Sequence, residues 1–525
     1  MADQTPLPIP DPEKASKSSG RDVPASTSSE LCTEDIAEAE VLMIADPRNR
    51  LERLANKFDR LFGLEARGIQ QVPESAREGK PTARDYVWMW SIWFSANCTA
   101  VQFTAGILGP VSYGLGLVDS MLLCAFGTIL GSVCSAYVST FGALSGNRTV
   151  VVARFAMGYW PAKLAALFNI VINVGYGLID CVVSGQILSA VSGGSLSPIV
   201  GIIVTALITW FVSTFGIKLF HPYQGYAWVP QVAILFILVG CASPKFDTAT
   251  PSQGTGTTVV GDRLSYFFLT ASVPLGWASQ SADFYVYFPK SSNRYIIFLM
   301  TFLGLLLGKC FVEFLGIGLA TGLAHNASWA AAFDVSLGAL LVEAFSPLGA
   351  FGHFCCVVLA LGICANIIPS TYSTGLSFQL LDRSAERIPR LFWCTFAVVI
   401  YAICAIAGYK HLLAIFNNFL VIIGYWLANF VVLVLQEHVI FRRKTGWKWD
   451  QWDNTEYLPL GIAAFTAFCI GWVGVVLGMD QTYFVGPIAK LVGEHGADLG
   501  IPLGAAFTAV TFPFLRYMEL KYFKR

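Results

Sequence analysis

Long apolar runs alternate with short polar connections over most of the chain, from Trp88 to Tyr517. Each run has roughly 18 to 25 residues, which as a helix is long enough to cross a hydrocarbon core about 30 Å thick. The pattern predicts an all-α polytopic membrane protein with about twelve transmembrane helices. The predicted spans are residues 88–108, 117–141, 164–191, 198–216, 226–242, 264–279, 295–319, 348–380, 391–408, 412–435, 458–477 and 501–517.

Polar segments flank these spans. Residues 1–86 form a polar N-terminal tail, rich at its start in Pro, Ser, Thr, Asp and Lys, which we expect to be largely disordered. Within it, apolar residues at 47–63 recur at helical spacing among basic residues. This pattern favours an amphipathic helix that lies on the cytoplasmic membrane surface or caps the core domain, and a solvated helix is the alternative. The remaining divisions are a core of ten helices at 87–436, a loop at 437–457, two peripheral helices at 458–518 and a tail at 519–525.

Positive charge is distributed unequally between alternate connections. Cytoplasmic connections of membrane proteins carry an excess of Lys and Arg. One set of connections holds mainly Lys245, Arg263, Lys410 and Lys490. The other set, which we therefore predict to be cytoplasmic together with both termini, holds Arg148, Arg154, Lys218, Lys290, Arg294, Arg383, Arg387, Arg390, Arg442, Arg443, Lys444 and Lys448.

Composition supports a membrane protein and excludes several classes of function. Only 13% of residues are charged, about half the share of a soluble protein. Lys+Arg and Asp+Glu both number 34, so no nucleic-acid partner is indicated. The 13 Cys lie mostly in apolar runs, and the six His lie mostly at span ends, without the spacing of a metal or catalytic site. We therefore expect no enzymatic activity, no metal and no cofactor. We expect a lipid bilayer as a partner and leave the oligomeric state open.

The sixth span contains helix-breaking and polar residues in its middle. Pro274 and Gly276 interrupt the apolar run, and a Ser, Gln and Asp cluster follows. Backbone groups freed by such a break cost several kcal/mol each in hydrocarbon, so breaks occur where protein, water or a ligand satisfies them. Trp277 adjoins the break, and we interpret its flat ring as a docking surface for a planar solute. The alternative is an indole at the membrane interface.

The first span carries a matching polar cluster at about half depth, which includes Ser95 and Asn97. Spans one and six occupy corresponding places if the first ten spans are two repeats of five. Broken helices at corresponding places point to a midplane binding site in inverted-repeat secondary transporters. The sequence therefore predicts a 5+5 inverted repeat followed by two extra C-terminal helices.

An acidic residue, Asp180, lies inside the third span. An acid near the bilayer centre costs at least about 2.5 kcal/mol, so it normally faces a cavity, a partner or a proton path. Tyr176 precedes it by four residues and shares its helix face. This phenol and carboxyl can hold a heterocycle by hydrogen bonds, and the carboxyl is a candidate for proton coupling. The alternative is an Asp that is protonated or bonded to a neighbouring helix.

Two further spans contain notable polar groups. In the seventh, Lys309 and Glu313 are four residues apart, which favours a structural ion pair. In the eighth, Asn366 precedes Pro369, which we expect to interrupt the helix, because proline removes an intrahelical bond and frees the carbonyl of Ala365. An amide both donates and accepts, as purine and pyrimidine edges require. Hydrogen bonding of Asn366 across helices is the alternative.

Several motifs together resemble those of the fungal purine–cytosine permeases, a branch of the nucleobase:cation symporter family. The resemblance covers the chain from Trp88 to Tyr517. The motifs are Trp93-Phe-Ser-Ala-Asn97, Gly106-Ile-Leu-Gly-Pro110, Asp180-Cys-Val-Val-Ser-Gly-Gln186, Phe215-Gly-Ile-Lys218 with His221, Tyr226-Ala-Trp228, Gly276-Trp277, Ala282-Asp283-Phe-Tyr-Val-Tyr287 with Pro289, and Ala365-Asn366-Ile-Ile-Pro369.

The resemblance implies a LeuT-like fold and proton-driven uptake of cytosine, adenine, guanine or hypoxanthine across the plasma membrane by alternating access. In such proteins the ring stacks on an aromatic residue of the sixth span, a place matched by Trp277 beside Gly276. Polar contacts to the substrate are implied for Ser95, Asn97, Tyr176, Asp180, Asn366 and Pro369.

The chain also departs from the permease pattern. That pattern has Trp and Asn where this chain has Tyr176 and Asp180, and an acidic residue where it has Gln224. The proton-carrying group is therefore expected to differ, with Asp180 as the candidate. Candidates for gating or structural roles are Asp283, Lys309, Glu313 and Gln224.

Alternatives to nucleobase uptake remain open. Related fungal carriers take vitamin B6, another planar pyridine ring, and a nutrient receptor that does not transport is a further possibility. The sodium-dependent bacterial relatives place hydroxyl side chains about a turn and a half before the eighth-span Asn, where this chain has Ala360 and Leu361. Because a hard cation prefers oxygen ligands, we expect no sodium site.

Overall fold

A computed structural model describes residues 68–215 and 223–525. Most of the predicted N-terminal tail, including the amphipathic segment at 47–63, and the connection at 216–222 lie outside the described residues. The described part is predominantly α-helical. Its one small sheet is a hairpin of β1 (Asp480–Gln481) and antiparallel β2 (Phe484–Val485), in which Asp480 lies opposite Val485.

The α-helices are numbered in chain order within the described residues. They are α1 Ala83–Asn97, α2 Gln102–Tyr113, α3 Leu117–Ser145, α4 Thr149–Met157, α5 Ala162–Val191, α6 Pro198–Phe215, α7 Trp228–Ala242, α8 Thr257–Leu275, α9 Arg294–Gly322, α10 Ala327–Val335, α11 Leu337–Ala344, α12 Ala350–Gly362, α13 Cys364–Leu381, α14 Arg383–Glu386, α15 Arg390–Gly408, α16 Leu412–Gln436, α17 Ile462–Gly478 and α18 Gly500–Phe523. A π-helical turn at Glu437–Phe441 extends α16. Two 3₁₀ segments, Gly276–Ser279 and Ser281–Tyr285, follow α8, and other short 3₁₀ turns occur in connections.

Each predicted span coincides with a helix or with a pair of consecutive helices. Within the described residues, six helical stretches are long and apolar enough to cross a membrane, and one of these, Arg390–Phe441, contains both α15 and α16. Spans one and eight are each divided between two helices, α1 with α2 and α12 with α13. The prediction of an all-α polytopic membrane protein is confirmed.

Local capping explains where several helices begin. Before α1, Thr82 and Asp85 form a reciprocal capping box, in which the Thr82 N–H donates to Asp85 Oδ2 at 2.7 Å. Before α9, the side chain of Asn293 accepts from the backbone N–H of Tyr295 at 2.9 Å. These side chains satisfy backbone donors that the first turn of a helix leaves without partners.

The spans pack as two groups of four. The first group contains α1 with α2, α3, α8 and α9, which are spans one, two, six and seven. The second contains α5, α6, α13 and α15, which belong to spans three, four, eight and nine. In each group, adding five to the numbers of the first two spans gives the numbers of the other two, as expected for two repeats of five. The predicted repeat therefore agrees with the observed packing.

Glycines allow the closest approaches within the first group. On α2, a methyl group at Gly106 would overlap the backbone carbonyl of Glu313 on α9, and one at Gly316 of α9 would lie 2.6 Å from the carbonyl oxygen of Phe103. On α3, a methyl group at Gly131 would overlap the carbonyl of Ala271 on α8. Small residues that let backbones touch are typical of helix interfaces in membranes.

We predict that Gly106→Ala destabilises the protein, because the added methyl group has no space against the Glu313 carbonyl. Overpacking of this kind costs about 1–3 kcal/mol. The measurement is the thermal unfolding temperature of the purified protein. Gly240→Ala on α7 is the matched control, because no heavy atom lies within 4 Å of the methyl group it adds. An equal unfolding temperature for the two variants would contradict the packing argument.

Candidate substrate site

The first span breaks where the sequence predicts a polar cluster. Helix α1 ends at Asn97 and α2 begins at Gln102, so the residues between them are not α-helical. The Asn97 side chain is fully buried, and its Nδ2 donates to the carbonyl oxygen of Trp93 at 2.7 Å. This bond fixes the amide so that its oxygen points away from α1. The predicted break in span one is confirmed.

The sixth span breaks after Leu275, where α8 gives way to the two 3₁₀ segments. Two carbonyl oxygens next to this break accept from side chains of neighbouring helices. Ser135 Oγ donates to the Pro274 carbonyl at 2.7 Å, and Tyr176 Oη donates to the Val273 carbonyl at 3.3 Å. The predicted break is therefore confirmed, and hydrogen bonds from α3 and α5 stabilise it.

Trp277 joins the two breaks. Its indole N–H donates to Asn97 Oδ1 at 2.9 Å, a bond between residues 180 positions apart in the chain. The ring meets Trp93 in a T-shaped contact with centroids 5.4 Å apart, and Phe284 in another at 6.0 Å. The residue is only 5% exposed, so protein rather than lipid or solvent surrounds the indole.

The eighth span reaches the same place through Asn366, whose Nδ2 donates to the carbonyl oxygen of Ala96 at 2.7 Å. Ala96 lies in the last turn of α1, where carbonyls lack intrahelical partners. The bond across helices, offered by the sequence as an alternative, is thus present in this structure. The expectation about Pro369 needs correction, because the span is interrupted at Ile363 and α13 continues through Pro369.

Asp180 and Tyr176 lie on α5, which packs against the break in span six. Tyr176 approaches closely because Gly276 has no side chain, and a Cβ there would lie 2.9 Å from Tyr176 Oη. Asp180 is fully buried, and neither carboxyl oxygen has a hydrogen-bond partner among the described residues. The alternative of an Asp bonded to a neighbouring helix is therefore not observed within that part of the chain.

Other buried polar atoms beside the breaks also lack partners in the described part of the chain. They are Ser95 Oγ and Thr99 Oγ1 near the end of α1, and Gln280 Oε1 and Ser281 Oγ in span six. An unpaired buried polar group costs about 1–3 kcal/mol, so such atoms are normally satisfied by water or a ligand. Sequence reasoning selected Ser95 but not Gln280. Gln280 could have been selected because it is an amide that follows the break in the sixth span.

The predicted ion pair in the seventh span is wrong. Lys309 Nζ instead donates to Gln102 Oε1 at 3.1 Å, and no salt bridge joins it to Glu313 among the described residues. Glu313 Oε2 accepts from Cys124 Sγ at 3.0 Å and Thr128 Oγ1 at 3.1 Å. Lys309 and Glu313 therefore bond to side chains of α2 and α3, respectively, and not to each other. The Lys309 ammonium still interacts electrostatically with both Glu313 and Asp180.

Asp283 lies on the predicted cytoplasmic side of the break and joins the two packing groups. Its Oδ1 accepts from the N–H of Thr149 at 2.7 Å and from Thr149 Oγ1 at 3.0 Å, at the start of α4. Arg148 Nη1 donates to the Asp283 carbonyl at 3.2 Å, and Arg148 Nη2 donates to Tyr372 Oη on α13 at 3.2 Å. These bonds connect span six to span eight.

Gln224 lies in a helical turn at 223–226 before α7. Its side chain is buried, and Nε2 has no partner among the described residues. The turn is held to α1 by Ser91, whose Oγ donates to the Gly225 carbonyl at 2.6 Å.

The fold and site together define a class. Two groups of four spans related by an offset of five, with broken helices in spans one and six, characterise secondary transporters of the LeuT-like fold. Among solved structures, the chain is similar to Mhp1, a nucleobase-cation-symport-1 family transporter, in a closed conformation with bromovinylhydantoin bound. The TM-score is 0.64 at 12% identity, over 86% of this chain and 95% of that chain.

The chain belongs to the family of permeases for cytosine/purines, uracil, thiamine and allantoin, whose sequence model matches residues 71–486. It is 34% identical over 482 residues to the purine-cytosine permease fcyB of Emericella nidulans, covering 91% of this chain and 92% of that protein. It is 32% identical over 529 residues to the vitamin B6 transporter TPN1 of Saccharomyces cerevisiae, covering 91% of each. The resemblance inferred from the motifs is confirmed, and the chain is a multi-pass membrane protein of a transporter family.

We predict that Asp283→Ala lowers the thermal unfolding temperature, because it removes the acceptor at the start of α4. Loss of a helix cap costs about 0.5–2 kcal/mol. Asp283→Asn is the matched control, since an amide oxygen still accepts from Thr149, and it should unfold near the wild-type temperature. Identical unfolding of the wild type and the Ala variant would show that this bond does not stabilise the protein.

Proposed function

We propose that the chain imports purines, cytosine or both across the plasma membrane by proton symport, through alternating access around the breaks in spans one and six. The observation that carries the proposal is the bond between Trp277 and Asn97. It holds an indole between the two breaks, beside buried polar atoms that have no partner among the described residues. A flat heterocycle with several hydrogen-bonding edges matches an aromatic surface surrounded by such atoms.

Substrate binding would exchange bonds that the protein makes with itself. Asn97 and Asn366 use their amide donors on carbonyls of α1, and Tyr176 uses its hydroxyl on a carbonyl of α8. A nucleobase offers both donors and acceptors on its edge, so it can replace these partners one for one. Ser95 and Gln280 would gain partners that they lack among the described residues. Filling the site would therefore draw spans one, three, six and eight together.

Asp180 is the proposed proton carrier. Its carboxyl has no hydrogen-bond partner in the described part of the chain, whereas Glu313 accepts from two side chains. A buried acid near the bilayer centre is a typical component of a proton relay. The Lys309 ammonium interacts electrostatically with Asp180. We expect no sodium dependence, because Ala360 and Leu361 supply no side-chain oxygen before Asn366.

Uptake of vitamin B6 is the second candidate. The vitamin B6 transporter TPN1 is 32% identical to this chain over 91% of its length. A carboxyl at Asp180 can accept from the hydroxyl groups or the protonated ring nitrogen of pyridoxine. Uptake of labelled cytosine, adenine and pyridoxine by permease-deficient yeast expressing the chain, with and without a proton uncoupler, tests both candidates. Uncoupler-sensitive uptake of cytosine or adenine supports the first, and uptake of pyridoxine alone supports the second. No uptake of any of them at normal surface level contradicts both.

We predict that Trp277→Ala raises the KM for nucleobase uptake by about 5- to 150-fold, because base–aromatic stacking contributes about 1–3 kcal/mol. Trp277→Phe should lose less, since it keeps an aromatic face and removes only the N–H bond to Asn97. The control is Trp160→Ala, because Trp160 is 68% exposed and lies outside the site. Normal KM values in the Ala variant, at normal surface level, would count against stacking on Trp277.

We predict that Asp180→Asn abolishes accumulation driven by a pH gradient while retaining exchange of internal for external substrate. An amide keeps the shape of the side chain but cannot carry the proton. The measurements are uptake against external pH and exchange in preloaded cells, with Asp334→Asn, an exposed acid on α10, as the control. An unchanged pH dependence in Asp180→Asn would refute the coupling role.

Replacement of sodium by choline should leave uptake by the wild type unaffected.

A further inference from the structure

A cavity of about 650 Å³ lies at the helix ends on the predicted cytoplasmic side, and no residue of the breaks in spans one and six lines it. Three spans bound it there. Leu144 is at the end of α3, Arg294 is the first residue of α9, and His438 lies in the π-helical turn that extends α16. Helix ends on one side of a membrane protein lie at the level of the lipid headgroups. From this position we infer that the cavity lies at the membrane–water interface.

The cavity is strongly basic. Lys290, Arg294, Arg442 and Arg443 line it, and no Asp or Glu is among its lining residues. Lys290 is paired with Glu74 at 2.5 Å, and Arg442 with Glu437 at 2.9 Å. Arg294 and Arg443 have no carboxylate within 4.0 Å in the described part of the chain. At least two positive charges therefore remain without an acidic partner in that part.

Two tryptophans also line this cavity. Trp447 and Trp449 stack with ring centroids 5.0 Å apart and planes within 7°. The indole N–H of Trp447 is buried and has no acceptor among the described residues. A buried donor without an acceptor normally has a ligand or water as its partner. Phosphate oxygens accept from an indole N–H as well as from guanidinium groups.

Apolar side chains continue from the cavity onto the outer surface. Tyr295 is 71% exposed, Val439 47% and Ile440 53%. Tyr295 and Ile440 directly follow residues that line the cavity, and Val439 lines it. Exposed apolar surface next to helix ends is the surface that lipid chains cover. This continuity favours a lipid over a soluble phosphate compound, because only a lipid has acyl chains that would cover the apolar surface.

We propose that this cavity binds the phosphorylated headgroup of an anionic phospholipid, with the acyl chains against Tyr295, Val439 and Ile440. Arg294 and Arg443 neutralise the phosphate, and the Trp447 indole donates to it. Basic pockets between transmembrane helices on the cytoplasmic side are suited to such headgroups. The bound lipid would connect the start of α9 to the end of α16. This site is independent of the proposed substrate and of proton coupling.

The experiment is lipid binding by the purified full-length protein, followed by native mass spectrometry. The probes are phosphatidylinositol 4-phosphate and phosphatidylcholine, with inositol 1,4-bisphosphate as a soluble competitor. We expect the phosphoinositide to bind more tightly than phosphatidylcholine. The double variant Arg294→Gln/Arg443→Gln should lose about fivefold in affinity for each arginine removed. Arg443→Gln alone, at an exposed position, tests the same site with less risk to folding.

Arg383→Gln/Arg387→Gln is the matched control, because it removes the same charge from another connection on the predicted cytoplasmic side and should leave binding unchanged. Equal loss in the pocket and control variants would overturn the site in favour of diffuse attraction. Equal binding of phosphatidylcholine and the phosphoinositide would overturn it as well. Competition by inositol 1,4-bisphosphate at the affinity of the lipid would overturn the assignment to a lipid and indicate a soluble phosphate compound. Thermal unfolding without lipid confirms that each variant is folded.

Discussion

A helix that is broken inside a membrane must find hydrogen-bond partners for the backbone groups that the break releases. In this protein those partners are side chains of other spans. Asn366 of α13 bonds to the Ala96 carbonyl at the end of α1, and Ser135 of α3 bonds to the Pro274 carbonyl at the end of α8. The breaks are therefore places where several helices are held together. The rest of the site depends on this constraint.

The same constraint connects structure to transport. In the proposed function, a heterocycle would use the same amides, hydroxyls and indole that hold the breaks. A substrate and the protein would then compete for the same donors and acceptors. A ligand that replaces those bonds changes how the first packing group is held to the second. Binding energy is then available to shift the equilibrium between conformations, in proportion to the difference in affinity for the two states. On the predicted cytoplasmic side, the contacts of Arg148 with Asp283 and Tyr372 are a second connection between the groups.

Local chemistry in the sequence was sufficient to predict the spans and two of the breaks. Pro274 and Gly276 lie two positions apart in an apolar run, and this signal needs no knowledge of other helices. The bond between Asn97 and Trp277 is different, because apolar runs do not specify which faces of distant helices meet. The predicted partner of Lys309 was wrong for the same reason, because its hydrogen-bond partner, Gln102, belongs to another span. Pro369 suggested an interruption of the eighth span, but it lies little more than one turn after the start of α13. The backbone hydrogen bond that it removes is therefore next to the break at Ile363.

The most direct test of the account is the structure of the full-length protein with a transported heterocycle bound, determined by electron cryomicroscopy. The account predicts density for a planar ring against the Trp277 indole, between the interruptions of spans one and six, with the Asp180 carboxyl on the same side of the site. A ring bound elsewhere, with Trp277 still bonded to Asn97 and no ligand between the two interruptions, would contradict it.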